Sequence, residues 1–99
     1  MPRRRPLDQY PQEYYDLFSK ANYAPVEMEF DRASEAVGFR IEMYNFRRAL
    51  RESLLLNPNN SDVAEAVALA ESLTFPLSGT TLTIKVKDSI QAQRIRKVL

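Results

Sequence analysis

Arg40, Tyr44, Arg47 and Arg51 recur at intervals of four, three and four residues, a spacing that sets them in one row on an α-helix. Guanidinium groups arranged around a phenol do one kind of chemistry: they hold anions. The planar guanidinium pairs bidentately with phosphate or carboxylate, and the aromatic ring offers a face on which an unpaired base can stack. Arg48 lies on the adjoining flank and extends the set. Arg3, Arg4 and Arg5, between Pro2 and Pro6, read as a basic arm that can reach phosphates. A blander account competes with each reading. A basic terminus is commonly just solvated, and helical arginines can bridge carboxylates elsewhere in a fold, here for example Asp62 and Glu65, while their stems cover apolar surface.

Reaction chemistry is far less well supplied. The chain has no His and no Cys, so the commonest general base, the commonest metal ligand and the strongest nucleophile are missing. Its only glycines, Gly38 and Gly79, cannot write a phosphate-binding or dinucleotide loop. Glu27, Glu29 and Asp31 share one strand face and could hold magnesium. Carboxylates at alternate positions are also routine on a wet strand face, where Lys85 and Lys87 would pair with them. The chain therefore reads as a non-enzyme that needs no cofactor and no metal.

Ninety-nine residues suit one domain, and 44% hydrophobic with 27% charged residues is the mix of an ordinary globular protein. Fourteen Lys and Arg against thirteen Asp and Glu leave a net charge of +1. Affinity for a polyanion must then come from local segregation of charge, not from the whole molecule. No apolar run approaches a membrane span, and the basic start lacks the apolar stretch of a signal peptide. The expected setting is the cytoplasm, with no membrane partner.

Hydrophobic periodicity supplies the elements. Residues 1–10 read as a flexible basic arm and residues 11–99 as one globular domain. Tyr14, Leu17, Phe18 and Ala21 follow helical spacing from Pro11 to Ala21. Val26 to Phe30 alternates apolar and acidic as a half-wet strand does, and Asp31 is placed to cap the following helix. From Arg32 to Leu56, Ala36, Phe39, Met43, Phe46, Leu50 and Leu54 form one apolar stripe beside the basic row, and Glu42 and Glu52 fall away from both. Gly38 on the polar side marks a close contact or a break. A break would give a strand, short helix and longer helix, an order like that of ribbon-helix-helix repressors but with too short a first helix.

Asn57-Pro58-Asn59-Asn60 is a loop, after which Ser61 can cap a helix that buries Val63, Ala66, Val67 and Ala70. Leu73 to Leu77 and Thr80 to Lys87 flank a hairpin signal at Ser78-Gly79, with Pro76 confining its strand to an edge. Matching charges place Glu27 and Glu29 opposite Lys85 and Lys87, with Thr80 to Lys87 central and the strand direction left open. A last helix starts at Asp88 or Ser89, offers Ile95, Val98 and Leu99 for burial, and ends in Arg94, Arg96 and Lys97. The fold class is α+β: a three-stranded sheet with one apolar face covered by the long amphipathic helix and shorter helices.

The order of these features resembles small proteins encoded by tailed bacteriophages. The likeness rests on the basic Pro-rich start, on Pro11-Gln12-Glu13-Tyr14-Tyr15-Asp16-Leu17-Phe18, on Val26 to Phe30, and on Tyr44-Asn45-Phe46-Arg47-Arg48-Ala49-Leu50. It implies a viral or prophage context, the host cytoplasm as setting, and an accessory role in DNA handling or host interaction. It carries over no catalytic residue and no ligand. The expected function is a non-catalytic nucleic-acid-associated accessory protein that meets DNA or RNA through Arg40, Tyr44, Arg47, Arg48 and Arg51, aided by Arg3, Arg4 and Arg5. The alternative is a protein–protein module that docks on an acidic partner, such as a host protein, or assembles with itself.

Overall fold

The computed structural model describes residues 5–98. A 3₁₀ turn at Leu7–Gln9 leads into helix α1 (Glu13–Ala21), strand β1 (Val26–Glu29), helix α2 (Ala33–Leu56) and helix α3 (Ser61–Glu71). Strands β2 (Leu73–Thr74), β3 (Leu77–Ser78) and β4 (Thr81–Val86) follow, and helix α4 (Asp88–Val98) ends the described chain. The class is α+β, with a long helix of 24 residues.

All strand pairs are antiparallel and all involve β4. β1 lies along one side of it, and β2 and β3 share the other, so four short strands fill three ranks. The segment expected as one edge strand is split because Phe75 turns into the core and Pro76 has no N–H to give to the ladder. The Pro76 carbonyl still accepts from Thr83 N at 2.9 Å. Leu82, Ile84 and Val86 are buried while the alternate residues of β4 are half-buried, as period-two alternation requires. The turn into β4 is Gly79-Thr80, one residue later than the Ser78-Gly79 signal, because Ser78 pairs with Thr81. Gly79 has φ +61°, the left-handed value required at the first central position of a tight hairpin.

The expected Glu–Lys pairing across the sheet is not formed. Glu27 faces Thr83 and Glu29 faces Thr81, while Lys85 stands opposite Thr74. The cause is the antiparallel register: Val26 pairs with Ile84, so position 25, a proline, and not Glu27, falls opposite Lys85. Two caps also differ. Arg32, not Asp31, is the first flanking residue of α2, with no side-chain cap. Asn60, not Ser61, caps α3, its Oδ1 accepting from Asp62 N at 3.1 Å and Val63 N at 3.2 Å. Ile95, expected to be buried, is half exposed, and the burial expected of Val98 and Leu99 falls outside the described side chains. α4 is instead held by Ile90, half-buried against the core, and by Arg94 Nη1 donating to the Asn22 carbonyl at 3.3 Å at the end of α1.

Phe46 of α2 sits at the centre of the core. Its ring meets Tyr10 at 5.3 Å, Tyr14 at 5.5 Å, Tyr15 at 5.0 Å and Phe18 at 5.2 Å between centroids. Of the expected stripe Ala36, Met43, Phe46 and Leu50 are buried and Phe39 and Leu54 half-buried, and around Phe46 the α1 side supplies the aromatic half of the packing and the sheet the aliphatic half. The arm expected over 1–10 does not include 7–10, since Tyr10 is buried and Leu7 packs against the same cluster, and residues 1–4 lie outside the described residues. Gly38 neither breaks α2 nor makes a close contact, because a Cβ there would meet nothing within 4 Å.

Two stability changes follow from this packing. Phe46→Ala removes the ring that five others converge on directly or through Phe18, and should cost about 3–5 kcal/mol in denaturant unfolding. Gly38→Ala, in an open helix interior, should raise stability by about 0.5–1 kcal/mol. A Phe46→Ala midpoint equal to wild type, or a destabilised Gly38→Ala, would contradict the assigned environments.

Candidate binding surface on the long helix

Viewed down α2, the side chains divide into three sectors. Met43, Phe46, Ala49 and Leu50 are buried, and Arg40, Tyr44 and Arg47 form a half-buried flank that Arg51 continues at the exposed end. The flank is the basic row expected from the sequence, and much of it is engaged inside the molecule. Arg47 Nη1 donates to the Leu73 carbonyl at 3.2 Å, and its guanidinium carbon lies 5.1 Å from the Tyr44 ring and 5.2 Å from Phe75. Burial lowers the Arg47 pKa from its ordinary value, an effect that leaves it a cation at any physiological pH. Tyr44 stands edge-on to Phe75 at 5.0 Å, and Arg40 Nη2 donates to its hydroxyl at 3.4 Å. The buried Arg40 Nε has no hydrogen-bond partner among the described residues.

Arg51 forms a fork with Glu71: Nη2 donates to Oε2 at 2.7 Å and Nε donates to Oε1. Helical arginines do bridge carboxylates of α3, but at its last turn and not at Asp62 and Glu65. α3 runs back along α2, so its end lies beside Arg51. Arg5 is engaged as well, on another side of α2: its Nη2 donates to Glu42 Oε2 at 2.5 Å, and its guanidinium lies 4.0 Å from the Tyr10 ring. The Tyr14 hydroxyl donates to the same Glu42 oxygen at 3.0 Å, and burial with that contact pushes its pKa up to about 12. Arg3 and Arg4 lie outside the described residues.

Arg48 differs from its neighbours. It is exposed and makes no hydrogen bond or ion pair with another described residue. At 3.6 residues per turn it points roughly 160° away from Leu50, and Val37, Ile41 and Leu55 fall within about 20° of it. All three are exposed. Along the outer face of α2, Arg48 therefore has Ile41 and Leu55 two turns away on either side and Tyr44 and Glu52 one turn away, with the half-buried cations Arg40 and Arg47 beside it. The sequence does carry the signal for this face. Val37, Ile41 and Leu55 lie opposite the core stripe, where a solvated helix would place polar residues.

The carboxylates of β1 do not assemble into a centre. Glu29 accepts from the hydroxyls of Thr80 and Thr81, and these bonds hold its pKa below the ordinary carboxylate value. Among the described residues, no group of three or more His, Cys, Asp or Glu is arranged to hold a metal ion. No described helix is long and apolar enough to cross a membrane.

Acid should probe the engaged pairs. The hydrogen bond from Arg51 depresses the Glu71 pKa, and that from Arg5 depresses the Glu42 pKa, from an ordinary value of 4.5. A carboxyl whose folded pKa lies below its unfolded pKa stabilises the fold above the unfolded value, and that stability is lost as pH falls through the folded value. Unfolding midpoints should be level from about pH 7 to 5 and fall below about pH 4.5. The Arg51 and Glu71 side chains are 47% and 39% exposed, so solvent screening limits this pair to less than about 1 kcal/mol. Glu71→Gln should flatten the acid limb by that small amount, and an unchanged acid limb would contradict the fork. No protein-family model matches the chain, and comparison with curated proteins and with solved structures finds none that is similar to it.

Proposed function

We propose that this protein is a non-catalytic interaction module that docks an acidic protein surface on the outer face of α2. The observation that carries the reading is the exposure of Val37, Ile41 and Leu55, at 43%, 54% and 80%, along the same face as Arg48, which has no partner among the described residues. Such aliphatic exposure has no use in contacting phosphates, whereas apolar side chains sharing a face with an arginine suit a protein interface. Arg40 and Arg47 add positive potential beside it, which favours carboxylates on the partner and speeds encounter. A docking module is also the kind of accessory protein that the likeness to phage proteins implies, acting in the cytoplasm of a host.

Nucleic-acid association through the same helix is the competing reading. It draws on Arg40, Arg48 and the basic start, but Arg47 and Arg51 already have partners and the Tyr44 ring is flanked by Phe75 and two guanidinium groups.

Fluorescence anisotropy separates the two. The probes are a labelled helical peptide with leucines on one face and glutamates beside them, and labelled single-stranded and duplex DNA of 20 nucleotides per strand. The peptide should bind, and Arg48→Ser and Ile41→Ser should each weaken it about tenfold, equivalent to about 1.4 kcal/mol. DNA binding that exceeds peptide binding, falls with salt by about 0.9 logarithmic units per duplex phosphate contact or 0.7 for single strands, and is lost in Arg40→Gln/Arg48→Gln would overturn the reading in favour of nucleic acid.

A further inference from the structure

On the opposite side of the molecule from Arg48 a cleft of about 240 Å³ opens between α1 and α3, with Leu50 of α2 at its base. Tyr15, Phe18, Ala66 and Leu69 supply apolar wall, and Asp16, Asp62 and Glu65 supply carboxylates. The three acids are exposed, and none pairs with a cation among the described residues. The cleft is smaller than the roughly 300–1,000 Å³ of sites that enclose a whole small molecule. It matches one long side chain with an apolar stem and a cationic head, since such a chain buries its methylenes while the head stays at the polar rim. The outer face of α2 presents such a side chain: the exposed Arg48, with the exposed Ile41 and Leu55 two turns away on either side.

We infer that the chain assembles with itself head to tail, the outer α2 face of one copy seating Arg48 in the carboxylate-bearing cleft between α1 and α3 of the next. This rests on the proposed function and names the acidic partner as a second copy. Charge complementarity selects the arrangement. A two-fold dimer through α2 alone would bring Arg48, Arg40 and Arg47 of both copies together, whereas the head-to-tail contact sets cations against carboxylates. A net charge of +1 leaves no long-range repulsion between copies. Because the two surfaces lie roughly 160° apart around α2, the contact does not close on itself and generates chains of copies. The guanidinium meets carboxylates with its planar fork, and Ile41 and Leu55, two turns away on either side, add apolar contact at the margins of the pair.

Sedimentation velocity of the full chain over a range of concentrations tests this. The weight-average mass should rise with concentration beyond that of two copies at low salt and fall back toward one copy as salt screens the contact. Arg48→Ser, which damages the face, and Glu65→Lys, which damages the cleft, should each give single copies with unchanged thermal melts. An equimolar mixture of the two variants should give a dimer and nothing larger, because only one intact face and one intact cleft remain between them. A wild-type chain of one-copy mass at every concentration overturns the inference, as does assembly that both variants retain. If the wild type stays single while the acidic peptide still binds and Arg48→Ser still weakens that binding about tenfold, the docking face stands and its partner is another protein. If peptide binding is also absent, the docking face fails too.

Discussion

The packing of Phe46 determines how α2 is turned about its own axis, and most of what the surface presents follows from that rotation. Four rings from the segment 10–18 close on it, and Phe18 passes the contact on to Phe75 at 5.8 Å. Aromatic rings have narrow preferences in distance and tilt, so a cluster of this kind tolerates little rotation. With Phe46 held inward, Arg47 comes to lie against Leu73 and Phe75, and Arg48 is left in solvent. A turn of one residue in the register of this helix would bring Arg48 to the place of Arg47 and drive Arg47 into the core position of Phe46. The distinction between a structural and an available cation is therefore a consequence of the core.

The same constraint explains why so much of the basic row is engaged. The C-terminal half of α2 is covered on one side by α3, which returns along it after the Asn57 to Asn60 loop. Residues on the flank between the core and solvent meet the end of α3 and the start of β2 at Glu71 and Leu73. Long basic side chains suit that boundary, since their stems pack and their heads reach acceptors at the edge. Charge at the flank holds layers together, and charge at the apex of α2 is free to meet a partner.

Periodicity made the local elements legible. The stripe from Ala36 to Leu50 marked the buried face of α2, and the alternation in Thr81 to Val86 marked the central strand. The sequence was less informative where a contact depends on how distant segments align. Glu27 and Glu29 looked complementary to Lys85 and Lys87, but the antiparallel register sets them opposite Thr83 and Thr81. Arg51 could be seen to need an acid, yet Glu71 was its partner only once the length of the loop had set the register of α3 on α2. Tyr10 read as part of an arm because a lone aromatic between prolines has no periodicity, and its place beside Phe46 is a tertiary fact. The exposed Val37, Ile41 and Leu55 were present in the pattern, but the stronger charge signal next to them took the attention.

The absence of native cysteine offers a direct way to test whether the apex of α2 is both free and used. Single Ile41→Cys, Leu55→Cys and Met43→Cys chains would be treated with a thiol reagent, alone and with the acidic amphipathic peptide present. The account predicts that the thiols at 41 and 55 react at the rate of an unstructured peptide at low protein concentration and slow at least tenfold when the peptide is bound, while the thiol at 43 stays protected throughout. Protection at 41 and 55 in the dilute free chain, or reaction rates there that the peptide leaves unchanged, would contradict it.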